Sequence, residues 1–321
     1  MWPRSASGAS EPHAASPPAA SIKPTMPDIL PTRTPDSLRG AFQRRDAGNP
    51  GLVPTYRVTA TYEKEFGILS DMPIQLLTEQ YPDRPAFDTA LSHVVLSRVA
   101  AGEVPESLRL HQPGSIVAFG RRDVVSPGYL PAVVACRAAG YEAIERLAGG
   151  RAAVFHPGTI AFSWTIPSAK PREEIKQRFE ALTATLLSAF VSLGADARIG
   201  EVPGEYCPGA YSINVSGRHK VMGTGQRIIG GATHVGGVIV VDGGDRIAEI
   251  LIPVYRALEL QWDPATSGDL AGAVPGITRQ DVLAAVVTEF DRRYGLAKGH
   301  IDQTTLARAA ALEHHHLSPR G

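Results

Sequence analysis

Apolar residues recur at helical spacing in three stretches and alternate at strand spacing in several others. Phe87, Leu91, Val94, Val95 and Val99 mark one face of a helix that Gly102 ends. Ile175, Phe179, Leu182, Leu186, Phe190 and Leu193 mark a longer one, with Pro171 suited to its first turn and Gly194 to its end. Val282, Ala285, Val286 and Phe290 mark a third over 279–294, for which Thr278 and Asp281 form a capping box. A brief helix is expected over about 131–139. Strands are expected at IQLLTEQ from Ile74, at LRLHQ and SIVAFG (a hairpin about Pro113-Gly114), at EAIERL, and at AAVFH and TIAFSWTI about Pro157-Gly158. SINVSGRHKVMG reads as a hairpin turning at Ser216-Gly217, and HVGGVIVVDGG as a further strand. Strands flank separated helices without a regular βαβ alternation, so the expected class is α+β, a mixed, largely antiparallel sheet flanked by helices.

Residues 1–55 lack either period and are rich in Ser, Ala, Pro and Gly, the composition of a disordered tail. Met26 and Met72 are both suitable downstream start sites. The expected division is a tail over 1–55, a catalytic domain over 56–255, a C-terminal helical extension over 256–312 and a disordered tail over 313–321. The chain has 321 residues, 43% of them hydrophobic, with Lys plus Arg and Asp plus Glu both 32. That balance gives no reason to expect nucleic acid or an anionic membrane as partner. The absence of a long apolar run and of a signal-type segment argues for a cytoplasmic protein, and two cysteines are too few for a disulfide framework.

Candidate chemistry centres on residues 203–227. Pro203, Gly204, Pro208 and Gly209 bracket Cys207, so no helix or central strand can pass through it and a loop presents the thiol. Lys220 follows shortly after. Cys136, on a short helix among alanines, reads as a packed small side chain, Phe162 and Trp164 as core or tunnel lining, and His314–His316 as a solvated run without metal-ligand spacing. In RLAGGRAAVFHPG (146–158), Gly149 and Gly150 would let backbone approach an extended ligand, while Arg146 and Arg151 could engage a carboxyl, a phosphate or an acidic surface. It is neither a nucleotide P-loop nor a dinucleotide fingerprint.

Together these segments resemble a family. A strand ending in Arg146, a GG loop running into AVFH, and Gly217, Arg218, Lys220, Gly223, Gln226 and Arg227 in one later segment are similar to the catalytic domain of lipoate-protein ligases, octanoyltransferases and biotin-protein ligases. The likeness covers about 74–260. YCPGAY at 206–211 is most similar to the branch that uses a cysteine to move octanoyl or lipoyl groups between lipoyl domains.

The resemblance implies that Cys207 carries an acyl-thioester, that Lys220 contacts the acyl carbonyl, and that the GG loop lines an acyl tunnel. Arg146, Gly149, Gly150, Arg151, His156, Gly223 and Gln226 are then the expected substrate-binding residues, with no metal. Lys220 would also favour the thiolate, since an unperturbed thiol of pKa ~8.5 is only slightly ionised at neutral pH. His156 or His219 could shuttle protons, and His219, next to Lys220 on a strand, should point the other way. The donor would be an acyl carrier protein or the glycine-cleavage H protein, the acceptor a lipoyl domain of a 2-oxoacid dehydrogenase, and the enzyme a monomer. No cofactor would be needed. The alternatives are an ATP- and Mg-dependent lipoate ligase of the same fold and a non-catalytic lipoyl-domain binder. Arg151, where ligases have a small residue, and Pro157, where they often have Asp, weigh against ligation.

Overall fold

The computed structural model describes residues 72–320, so the expected tail over 1–55 and the boundary at 56 lie outside the described residues. The elements run β1 (Ile74–Leu77), α1 (Pro85–Ala100), β2 (Ser107–His111), β3 (Ile116–Phe119), α2 (Arg121–Val124), α3 (Tyr129–Ala138), β4 (Glu142–Glu145), β5 (Ala153–Phe155) and β6 (Thr159–Pro167). They continue with α4 (Ile175–Ser192), β7 (Ala197–Ile199), β8 (Ile213–Val215), β9 (His219–Ile229), β10 (Ala232–Val240), α5 (Gly244–Ala257), α6 (Leu270–Ala273), α7 (Arg279–Tyr294), β11 (Leu296–Lys298) and α8 (Gln303–Leu312).

Eight strands form one sheet in the order β11-β1-β2-β6-β10-β9-β8-β7, and β4-β3-β5 form a second. In the large sheet only β11-β1 and β1-β2 are parallel, so the sheet is mixed and largely antiparallel, as the pattern of the chain implies. The two faces of this sheet differ. Leu108, Leu110, Phe162, Trp164, Val235 and Ile239 turn to the face covered by α4 and α7, where Leu186, Phe190, Val286 and Phe290 complete the main core. Trp164 meets Phe290 edge to face and donates its indole N–H to Glu106 at 2.7 Å. On the other face, under α1, the alternate residues are small or polar, and a cavity remains there.

The capping box of α7 is present, with Asp281 N–H donating to Thr278 and Thr278 N–H to Asp281, and β8 and β9 form the hairpin expected at Ser216-Gly217. The hairpin expected about Pro113-Gly114 does not form. Both edges of β2 are already paired, with β1 and β6, and the chain crosses to the second sheet, where β3 pairs with β4 and β5. Gly114 sits so close to the Pro82 carbonyl at this crossing that a Cβ would lie 2.3 Å from its oxygen. Beyond residue 256 the chain is mostly helical, but β11 joins the main sheet beside β1.

The C-terminal segment is not solvated along its length, contrary to expectation. His316 is buried, its Nε2 3.2 Å from His93 Nδ1 and its Nδ1 3.0 Å from the Glu145 carbonyl, and Ser318 N–H donates to Ala143. Three consecutive histidines read as polar, yet an imidazole packs readily once its ring nitrogens have partners.

Candidate active site

Cys207 sits in the loop between β7 and β8 with φ at +42°, a left-handed conformation that is strained for any residue with a side chain. Two other parts of the chain hold its backbone there. The hydroxyl of Tyr255, on α5, accepts the Cys207 N–H at 2.9 Å and donates to the Ala152 carbonyl at 3.0 Å. Lys220, on β9 and 2% exposed, donates to the carbonyls of Tyr206 (2.9 Å) and Cys207 (2.8 Å) and to Glu205 Oε1 (2.8 Å). The Glu205 carboxylate also accepts from Ser212 Oγ at 2.6 Å and Val202 N–H at 2.9 Å, so the buried ion pair is fully hydrogen-bonded.

The thiol itself faces the GG loop. Arg151 N–H donates to Cys207 Sγ at 3.2 Å, and Arg146 Nη2, which also donates to the Arg151 carbonyl at 2.6 Å, lies 3.5 Å from it. Burial alone would push the thiol up. The charges of Arg146 and then Lys220, with the Arg151 N–H and the Arg146 hydrogen bond, outweigh it and leave the thiol below its ordinary value. Cys136 is the opposite case. Wholly buried on α3, its thiol is pushed up to about 12 by desolvation and is inert.

Of the residues expected to bind substrate, the structure groups some and separates others. Gly150, at φ +102°, packs directly on the thiol: a Cβ there would lie 2.9 Å from Sγ and 2.5 Å from Arg146 Nη2. The Arg151 side chain turns away from the thiol to Asp123 Oδ1 and the Arg122 carbonyl, both at 3.2 Å, tying the loop to α2. Gly149 has its carbonyl against Gly225, and Gly223 lies over the Lys220 side chain. Gln226 bridges α4 to β9 through Arg178 and the Ile175 carbonyl. His156 is buried in the β5–β6 turn, accepting from Gly158 N–H and packed on Gly243, and burial, followed by the nearby Arg246 charge, pushes it down to about 4. His219 is exposed and bonds the Ala265 carbonyl.

Three participants escape sequence reasoning. Glu205 lies two residues before Cys207, where a carboxylate in a turn-rich loop reads as solvated. Tyr255 and Asp123 come from elements far along the chain and have no local signal.

Beside the site is the cavity under α1. Arg146, whose guanidinium touches the thiol, lines one side of it with Leu147 and Ala148. Its floor is the small-residue face of the large sheet, where Gly225 pairs with Gly236 and Gly236 with Ser163. Among the described residues, no group of three or more His, Cys, Asp or Glu side chains could hold a metal ion, and no helix is long and apolar enough to cross a membrane.

An octanoyl-[GcvH]:protein N-octanoyltransferase of Geobacillus kaustophilus is 31% identical over 177 residues, 54% of this chain and 62% of that protein. The match therefore spans somewhat less than two thirds of that relative. One of the same name from Bacillus velezensis is 27% identical over 66% of this chain and 79% of its own. A lipoyl-[GcvH]:protein N-lipoyltransferase of Listeria monocytogenes is 26% identical over 62% and 74%. Among solved structures, a lipoate-protein ligase A bound with ATP superposes with a TM-score of 0.63 at 17% identity, covering 76% of this chain and 95% of that one, a likeness of fold. The family model described as the lipoyl protein ligase A/B catalytic domain matches residues 84–290, well over half of the chain, and the protein belongs to that family.

Proposed function

We propose that the protein is an acyltransferase that moves an octanoyl or lipoyl group from a carrier protein to a lysine of a lipoyl domain through a Cys207 thioester. The observation that carries this reading is the Cys207 thiol, held in a strained loop against Arg146 and the Arg151 N–H and beside a cavity. The names of the relatives support it, since they describe transfer of octanoyl or lipoyl groups from GcvH to protein.

The thiol proton leaves to solvent, and the Sγ electron pair forms a bond to the acyl carbonyl carbon. The bond from that carbon to the carrier breaks and the departing carrier atom takes up a proton. In the second half the ε-amine of the acceptor lysine attacks the thioester, the C–S bond breaks and the amine proton is released as the amide forms. Negative charge that develops on the carbonyl oxygen needs donors already in place. Arg146 and the Arg151 N–H, both at Sγ, are the ones within reach. Lys220 has its three N–H groups engaged, so it contributes charge and loop position, and meets the acyl carbonyl only if one of those bonds is exchanged.

An acyl group that arrives already bonded to a carrier needs no ATP. Given octanoyl-GcvH or octanoyl-acyl carrier protein as donor and an apo lipoyl domain as acceptor, transfer should proceed without nucleotide, and intact-mass analysis should show Cys207 heavier by one octanoyl group. Cys207→Ala should abolish transfer and Cys136→Ala leave it. Acceptor modification only with free acid plus ATP and Mg²⁺, without a thioester, would establish the ligase alternative, and full activity in Cys207→Ala would remove the nucleophile.

A further inference from the structure

The match to the family model ends at residue 290, yet the chain returns beyond it to the second sheet. β4 stands at the edge of that sheet, with β3 as its strand partner. An edge strand leaves a row of backbone groups without a ladder, and the C-terminal segment takes up those of β4. Ile144 and Leu317 form an antiparallel bridge, Ser318 N–H donates to the Ala143 carbonyl at 3.0 Å, and His316 Nδ1 lies 3.0 Å from the Glu145 carbonyl. Glu145 is the last residue of β4. The next is Arg146, whose N–H donates to the Phe119 carbonyl of β3 at 3.0 Å and whose guanidinium touches the Cys207 thiol. The strand end that delivers Arg146 is thus held from β3 on one side and from the C-terminal segment on the other.

The segment is itself fastened to two helices. On α3, Arg137 donates to the carbonyls of Ser318 at 2.9 Å and Pro319 at 2.7 Å, and it also holds Glu142, the first residue of β4, at 3.0 Å. On α1, Arg84 pairs with Glu313, and His93 Nδ1 lies 3.2 Å from His316 Nε2. A carbonyl only accepts, so the Glu145 contact places the His316 proton on Nδ1 and leaves Nε2 to accept from His93 Nδ1–H. Burial holds both imidazoles below their ordinary values, so the chain from His93 through His316 to the Glu145 carbonyl is made of neutral rings. Chain ends are poorly ordered unless tied down, and these ties converge on the one strand that leads to Arg146.

We propose that the C-terminal segment 313–319 is a positioning element of the site: by closing the free edge of β4 it fixes the strand end from which Arg146 reaches the Cys207 thiol. Burial pushes that thiol up, and Arg146 is the foremost of the groups that bring it down. With one edge open, a strand of four residues frays, the guanidinium leaves Sγ, and the thiolate fraction falls. The inference rests on the acyltransferase reading only for the use to which the thiol is put.

The test needs no acyl donor. Alkylation of Cys207 by iodoacetamide, read by peptide mass, is followed against pH above neutrality in the full-length protein, in a variant ending at Leu312, and in His316→Leu, His316→Asn and Arg146→Met. Arg146→Met should raise the alkylation midpoint by about one pH unit or more, the effect of losing an adjacent opposite charge. Truncation and His316→Leu should each raise it by half of that shift or more. His316→Asn, whose amide donor stands where Nδ1 stood, should restore it. Truncation added to Arg146→Met should raise it no further, because both changes act through the same guanidinium. Should the truncated chain fail to fold, the two His316 variants decide. A midpoint unmoved by truncation or by His316→Leu, a rise shared equally by His316→Asn, or a rise that persists undiminished in the Arg146→Met background overturns the inference. Octanoyl transfer from octanoyl-GcvH is then measured with the same proteins. Transfer with an unmoved midpoint overturns the positioning role and leaves acyl transfer standing; a moved midpoint in a protein that transfers nothing does the reverse.

Discussion

Removing a single oxygen from Tyr255 tests whether the Cys207 loop is held as the geometry implies. The Tyr255 hydroxyl is an acceptor for the Cys207 N–H and a donor to the Ala152 carbonyl, and the residue is 2% exposed. In Tyr255→Phe both partners lose their hydrogen bond with little room for water. A buried polar group left unpaired costs about 1–3 kcal/mol; the Ala152 carbonyl is fully enclosed and the Cys207 N–H only partly so, which gives about 2–4 kcal/mol in all. Stability should fall by that amount in urea denaturation at unchanged m-value. The chemical readout is separate. Without the Tyr255 contact the φ of +42° at Cys207 has less to hold it, and the loop relaxes away from the Arg151 N–H and Arg146. Alkylation of Cys207 by iodoacetamide, followed against pH, should therefore titrate higher in the variant than in the native protein. A loss of stability under about 0.5 kcal/mol, the scale of an ordinary surface change, together with an unchanged alkylation profile would refute the reasoning.

Three further outcomes follow from neighbouring contacts. Lys220→Met leaves the Glu205 carboxylate buried without its cation, which should cost about 3–5 kcal/mol, and should slow single-turnover acylation by a factor on the order of 10²–10³. Adding Glu205→Gln should restore part of the stability without the rate, and unchanged acylation in Lys220→Met would remove Lys220 from the chemistry. Gly150→Ala places a methyl within 2.9 Å of Sγ at a φ of +102°; it should block acylation, and a crystal structure with the thiol undisplaced would contradict this. His156 and His234 both have folded-state values near 4, below the 6.5 of the unfolded chain, so the unfolded state binds more protons and their contribution is complete above pH 6.5 and lost as pH falls toward 4. By pH 4.5 each should have cost roughly 2–3 kcal/mol, measurable as a falling denaturation midpoint that His234→Leu flattens.

The long helices were legible because their buried stripes are regular: Leu182, Leu186 and Phe190 on α4, and Phe87, Leu91 and Val94 on α1, follow the 3.6-residue period, and the caps of α7 are spelled out locally. Strand partnership was not. An alternating pattern tells which face a residue takes and is silent on which strand lies beside it, so β2 and β3 read as a hairpin although they belong to different sheets. The same limit governs the site. Cys207 stands out because prolines and glycines bracket it, and Lys220 because it follows closely. Glu205 was hidden in plain view, since only the fold shows that its carboxylate is enclosed. Asp88, His111, Ser163 and His234, which line the cavity, sit within apolar runs, where one polar residue in a strand or helix reads as a turn to solvent. Arg151, read as a side chain, matters at the thiol through its backbone N–H.

The position of Cys207 is one that conformation would assign to glycine, because only glycine enters the left-handed region without strain, yet the proposed thioester chemistry requires a thiol. That conflict explains the company the residue keeps. A buried Lys–Glu pair adds little net stability over an apolar substitute, since desolvating the two charges offsets most of their attraction. Its presence under the loop is therefore poorly explained as a stabilising contact. Two of the three Lys220 N–H groups go to the carbonyls on either side of the Tyr206–Cys207 junction, while Tyr255 takes the N–H from the opposite direction, so the peptide units about Cys207 are fixed at both donor and acceptor ends. Donors held before the substrate arrives need no reorganisation when charge develops. Arg151 follows the same logic: anchoring its side chain to Asp123 and Arg122 leaves its N–H aimed at Sγ. The cation at that position thus takes no space beside the thiol and serves the loop that presents the donor.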